Sequence, residues 1–133
     1  MKIVFDTNVL ISAFLTTAGP SQYILAAALA EQIVILSPYI LEEFTNKLVK
    51  KLGFSEAQAR EMAGFLEKRA VIIDAPLKNI SFSDKKDIPI LALLEASGAH
   101  YFVTGDKKLL DIKKWRTTFF LTVREALEIL EEK

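Results

Sequence analysis

The chain has 133 residues, 51% of them hydrophobic, which is one domain's worth of sequence with ample material for a core. Its 17 basic and 17 acidic residues cancel, so no whole-molecule field draws in nucleic acid or membrane, and any such binding has to be local. With no cysteine and a single histidine, His100, disulfides, thiolate chemistry and sulfur or histidine metal clusters are excluded, which leaves carboxylate chemistry as the available metal chemistry.

The chain opens on KIVFDTNVLISAF, residues 2–14, apolar on both sides of Asp6-Thr7-Asn8. Residues 3–5 read as a strand, and a short helix is expected over 9–15. A second helix follows over 20–30, then a strand over 33–36. Ser37 before Pro38 reads as an N-cap with proline in the first turn, opening a helix to about Lys51. Ser55 with Gln58 is a capping box for a helix to about Arg69, followed by a strand over 71–73. A helix over 88–97 tolerates Pro89 because it lies in the first turn. Strands at 101–103 and 119–121 come next, and the capping box of Thr122 with Glu125 starts a helix to the end. The strand runs are apolar at consecutive positions, the pattern of parallel strands covered on both faces, with right-handed crossovers between them. The expected class is α/β. No apolar run has the length of a membrane span and Asp6 interrupts the one stretch that could imitate a signal peptide, so the chain reads as cytoplasmic with no membrane partner. Its apolar fraction is high for so small a body, and the surplus predicts a homodimer or a dedicated partner.

In a parallel α/β sheet the carboxyl ends of strands and the amino ends of helices share one edge, where ligands bind. Asp6 follows the first strand, and Asp106 follows the fourth after Thr104-Gly105. Asp84 and Asp87 open the helix leading into that fourth strand, and Glu42 and Glu43 lie in the second turn of the helix opened by Ser37. Each also has an ordinary structural explanation. Asp6 and Asp87 suit N-caps, Asp106 suits a turn, and Glu43 suits an ion pair with Lys47 four residues on. Asp84 is read as structural, His100 as a solvated residue before a strand, and Trp115 as an anchor. The lysine run over 107–116 is by default a wet face. Helical period leaves Glu42 and Glu43 undecided, because they flank the apolar stripe at similar angles. Taken together, like charges at one crevice raise one another's pKa, and a hard divalent cation relieves the conflict. Oxygen ligands favour Mg²⁺ or Mn²⁺, with coordination positions left for water and a phosphate.

The segments FDTNVLISAF, SPYILEEF and DKKDIPILALLEASGAHYFVTGDKKLL, in this order, resemble the PIN-domain family of metal-dependent nucleases, particularly the VapC-like toxins of prokaryotic toxin and antitoxin pairs. The likeness runs from Lys2 to about Leu121. It implies a single three-layer α/β/α domain over 1–133, with a five-stranded parallel sheet in the order 3-2-1-4-5, and so sets Asp6 beside Asp106. It also implies that the helix acid is Glu43, ahead of Phe44, and that Asp87 and Asp106 complete a set of four catalytic, metal-holding acids with Asp6. Asn8 and Thr104 look like the residues that orient them. His100 stands where an aspartate is often found, and Ile88-Pro89 follows Asp87 where a more polar residue is usual; neither change removes an acid.

The activity so implied is hydrolysis of single-stranded RNA with Mg²⁺ or Mn²⁺, giving 5′-phosphate and 3′-hydroxyl ends, in a chain with an antitoxin partner. Lys107, Lys108, Lys113, Lys114 and Arg116 are then candidates for a basic rim that holds the RNA. Two other classes fit parts of the pattern. An aspartyl-phosphate phosphatase also begins with an aspartate after its first strand, but its second acid would stand where this chain has Asn8, and Glu43 would have no role. A non-catalytic module binding RNA or an antitoxin peptide is the other, and retention of all four acids argues against it.

Overall fold

The computed structural model describes residues 1–77, 80 and 84–131. In chain order the elements are β1 (Lys2–Phe5), α1 (Thr7–Leu15), α2 (Pro20–Glu31), β2 (Ile33–Leu36), α3 (Pro38–Lys50), α4 (Glu56–Arg69), β3 (Val71–Ile72), a 3-10 turn (Lys85–Asp87), α5 (Ile88–Ser97), β4 (Tyr101–Val103), α6 (Lys107–Leu110), β5 (Lys114–Trp115), β6 (Thr118–Leu121) and α7 (Val123–Glu131). The sheet has the order β3-β2-β1-β4-β6-β5, parallel throughout except for β5, which runs antiparallel to β6.

The expected α/β class and the order of the five parallel strands hold, with β6 as the fifth. The strand count needs correction: among the described residues there are six, because Lys114 and Trp115 add an antiparallel edge to the sheet. That edge is flanked by residues with left-handed backbone, Lys113 (φ 66°) and Arg116 (φ 56°), conformations no side-chain pattern announces. A two-residue strand is also too short to show a period. The same holds for the single turn of α6, which was not foreseen.

Local chemistry starts and stops the helices. The Ser37 hydroxyl accepts from the Ile40 amide at 3.2 Å, and Pro38 occupies the first turn of α3. Ser55 and Gln58 cap α4 reciprocally, and Thr122 and Glu125 exchange the same pair of bonds at 3.1 and 2.9 Å. Gly98 ends α5 at φ 64°, where a side chain would be strained. The central strands are buried on both sides: Val4, Phe5, Phe102 and Val103 are all fully buried, in one core with Leu10, Ile24, Phe44, Leu66 and Leu91. Among the described residues no single helix is long and apolar enough to cross a membrane. α1 and α2 would be so only together, and they meet at 105°.

Register sets up the functional edge. Phe5 pairs with Val103 across β1 and β4, so the next residue of each strand, Asp6 and Thr104, leave the sheet side by side. The Asp6 amide continues the ladder to the Val103 carbonyl at 2.9 Å. At this pair the strand order reverses direction, which opens a crevice at the carboxyl ends of the strands.

Candidate active site

Asp6 caps α1 and enters the crevice at once. Its Oδ1 accepts from the Thr7 amide at 2.8 Å, and its Oδ2 accepts from the Thr104 hydroxyl at 2.6 Å. Thr104 is fully buried, and its hydroxyl oxygen also accepts from the Asp106 amide at 3.1 Å, so one side chain fixes two acids. Asp106 in turn caps α6, accepting from the Lys108 amide at 2.9 Å. Glu43 reaches in from α3 and accepts from the hydroxyl of the fully buried Thr7 at 2.5 Å. Asp87 lies at the junction of the 3-10 turn and α5, only 7% exposed, and its side chain makes no capping bond.

These four acids, from four separate segments, line a crevice of about 400 Å³ with Asn8, Lys47 and Lys86 at its sides. The structure separates Glu43 from Glu42: Glu43 is half-buried in the crevice, whereas Glu42 is exposed outside it. Asp84 does not line the crevice. It caps the 3-10 turn, accepting from the Lys86 amide at 3.3 Å, with the Lys86 ammonium 3.9 Å away. Asn8 accepts from the Lys47 ammonium at 3.1 Å. Among the described residues Lys47 makes no ion pair with Glu43, the ordinary role that their spacing offered.

The basic run divides. Lys107 and Lys108 follow Asp106 directly at the crevice edge. The hairpin joining β5 to β6 points the other way: Arg116 ion-pairs with Glu95 at 3.4 Å, and Lys114 lies over the Phe119 ring, 4.9 Å from its centroid. Lys113 sits between, its carbonyl accepting from the Phe120 amide.

Burial pushes the Asp6 carboxyl above its ordinary pKa; the bonds from Thr104 and Thr7 oppose the rise, the charge of Glu43 adds to it and Lys47 offsets part. Asp87 is also raised, first by burial and then by the charges of Asp84 and Asp106. Tyr39, at the mouth, is raised by burial and by Glu43, Asp87, Asp6 and Asp84. Among the described residues no three acidic or histidine side chains converge tightly enough to enclose an ion unaided. Mg²⁺ is commonly held by one or two carboxylates, several waters and a phosphate, and the donor set fits that mode: all oxygen, in excess of the lysines, with Asp87 free of a cap.

Four participants were not read from the sequence as site residues, among them Lys47, which was read only as an ion-pair partner for Glu43. Thr7 stood in the Asp6-Thr7-Asn8 interruption, the one signal available for it. Lys86 and Tyr39 carried none, because their place at the mouth depends on the turn before α5.

Fold and site together define an α/β protein with an acidic crevice at its topological switch point. The PIN domain family model matches residues 2–108, and the chain belongs to that family, whose members are generally nucleases. No curated protein gives a significant match. Among solved structures the chain is similar to PAE2754 from Pyrobaculum aerophilum (TM-score 0.70, 17% identity, covering 100% of this chain and 97% of that one). It is similar to VapBC2 from Rickettsia felis, bound to a DNA fragment from their promoter (0.66, 18%, 92% and 98%), and to the PIN domain endonuclease Utp24 (0.53, 18%, 91% and 84%). At these identities the likeness is one of fold.

Proposed function

We propose that this chain is a Mg²⁺- or Mn²⁺-dependent endoribonuclease that hydrolyses phosphodiester bonds of single-stranded RNA. The observation that carries it is the convergence of Asp6, Glu43, Asp87 and Asp106 on one crevice, with Asp87 free of the capping bond that would have explained it. A divalent cation bound there supplies an acidified water and neutralises the phosphate charge. The chain's part is to hold the carboxylates. Thr104 fixes Asp6 and the Asp106 backbone, Thr7 fixes Glu43, and Asp87, free of a cap and lining the crevice, orients the attacking water. Lys47 and Lys86, which line the crevice, face the phosphate, with Lys107 and Lys108 next along the chain after Asp106. The sequence resemblance to VapC-like toxins, with the fold shared with VapBC2, supports a toxin role with an antitoxin partner. The apolar surplus reaches the surface at Leu15, Tyr23 and Phe65, which suits a homodimer.

The test is cleavage of labelled single-stranded RNA in Mn²⁺. Asp87→Asn keeps the shape and removes the charge, and should lower the rate by about a hundredfold or more while the protein stays folded. Asp84→Asn, which only caps a turn, should keep most activity. Normal cleavage by the Asp87 variant removes its catalytic assignment. A wild type inert on every RNA tried points instead to the non-catalytic binding module.

A further inference from the structure

Beside the crevice a second hollow of about 330 Å³ runs along α3. Tyr39, Glu43 and Lys47 line both, so the two are immediate neighbours, and Lys50 and Lys51 line the second alone. We propose that this groove carries the stretch of single-stranded RNA next to the scissile phosphate, with a base lying on the Tyr39 ring and phosphates on Lys50 and Lys51. The inference rests on the ribonuclease reading of the crevice.

Tyr39 is built as a platform. The residue is 37% exposed, yet its hydroxyl donates to the Lys86 carbonyl at 3.2 Å, which pins it to the turn that carries Asp87. A ring already fixed loses little freedom when a base stacks on it, and such stacking accepts any base. The lysines follow the helix. Lys50 and Lys51 lie three and four positions beyond Lys47, a spacing that sets side chains about 5–6 Å apart along one face. Among the described residues none of the three is in an ion pair. The counter-charges on this groove are Glu42 and Glu43, and Glu43 is turned to Thr7, so the lysines remain in excess. The opposite edge of the sheet lacks this availability, since Arg116 is engaged by Glu95. Lys47 and Lys50 also complement the carboxyl end of α3, so stability has to be followed beside binding.

Binding is measured by fluorescence anisotropy of a labelled single-stranded RNA oligonucleotide with Mg²⁺, in the Asp87→Asn background, across a range of salt. Lys50→Gln/Lys51→Gln should weaken binding about tenfold and make the log-log salt dependence shallower by about 1.4, at roughly 0.7 for each phosphate contact on a single strand. Tyr39→Leu should cost about tenfold and Tyr39→Phe less than about twofold, because phenylalanine keeps the stacking face. A charge-matched control away from the groove, Lys68→Gln on α4 with Arg124→Gln on α7, should stay within about twofold. Melting temperatures identify any variant that has lost its fold, and the exposed lysine pair keeps the test decisive if Tyr39→Leu does not fold. Parental affinity and salt slope in the lysine variant overturn the proposal, as does an equal loss in the control or a parent that binds no RNA. A wild type that binds RNA through these residues yet never cuts it overturns the ribonuclease reading alone.

Discussion

The two edges of the sheet treat charge in opposite ways. At the amino ends of the strands Arg116 meets Glu95 and Lys114 lies over Phe119, so each cation has its own neighbour. At the carboxyl ends four carboxylates share one crevice with two lysines, Lys47 and Lys86, and an excess of negative charge remains. Even the buried threonines divide this way. Thr118, near the amino ends, donates to the Ala99 carbonyl at 2.6 Å, a bond that ties backbone together; Thr104 spends an equally short bond on the Asp6 carboxylate. One edge is balanced for stability, and the other holds an imbalance that a cation would relieve.

The largest effect that could break this comparison comes from the two threonines. On the proposed function, Thr104→Val should reduce RNA cleavage by about 10- to 100-fold in steady-state kcat/KM, because it removes the bond that orients Asp6. Thr118→Val should instead destabilise the fold by about 1–3 kcal/mol, through the carbonyl left unsatisfied, with activity retained below its melting temperature. Equal activity losses in the two would erase the distinction.

A smaller effect is expected from pH. Asp6 and Asp87 have raised pKa values in the folded state, so over that range the folded chain binds more protons than the unfolded one, and stability falls as pH rises. Urea unfolding of metal-free protein should therefore show the wild type losing stability relative to Asp87→Asn from about pH 4 upward, until the raised carboxyls are fully ionised. Mn²⁺ should stabilise the wild type, and Asp6→Asn less. A wild type with no such pH-dependent deficit, or equal stabilisation of both proteins by Mn²⁺, would contradict a crevice under electrostatic tension.

The smallest effect belongs to the balanced edge. Arg116→Gln breaks an exposed ion pair and should change stability by no more than about 1 kcal/mol, and RNA affinity by less than about twofold. A marked loss of RNA binding would carry the substrate across to that edge.

The parallel core was legible because its strands are apolar at consecutive positions and its helices carry caps as short-range motifs; Ser37, Ser55 and Thr122 all make the bonds their spacing announced. The acids could be sorted to one edge because strand direction alone decides it. Other features depended on contacts distant in sequence. Whether Glu42 or Glu43 turned inward was settled by Thr7, 36 residues away, which the α3 wheel does not contain. The pinning of Tyr39 spans 47 residues. The basic run looked like one surface because its lysines are neighbours in the chain; the reversal between β5 and β6 divides it, and left-handed backbone at Lys113 and Arg116 leaves no pattern in side-chain polarity.

The pairing of Phe5 with Val103 also orders events during synthesis. Asp6 leaves the ribosome 98 residues ahead of Thr104, whose hydroxyl holds it, and Asp106 follows that. A nascent chain that has not yet made β4 has no partner for one side of β1 and only part of the crevice. Assembly of the acids is therefore tied to the closing of the central strand pair, and translation arrested before that point leaves an incomplete set.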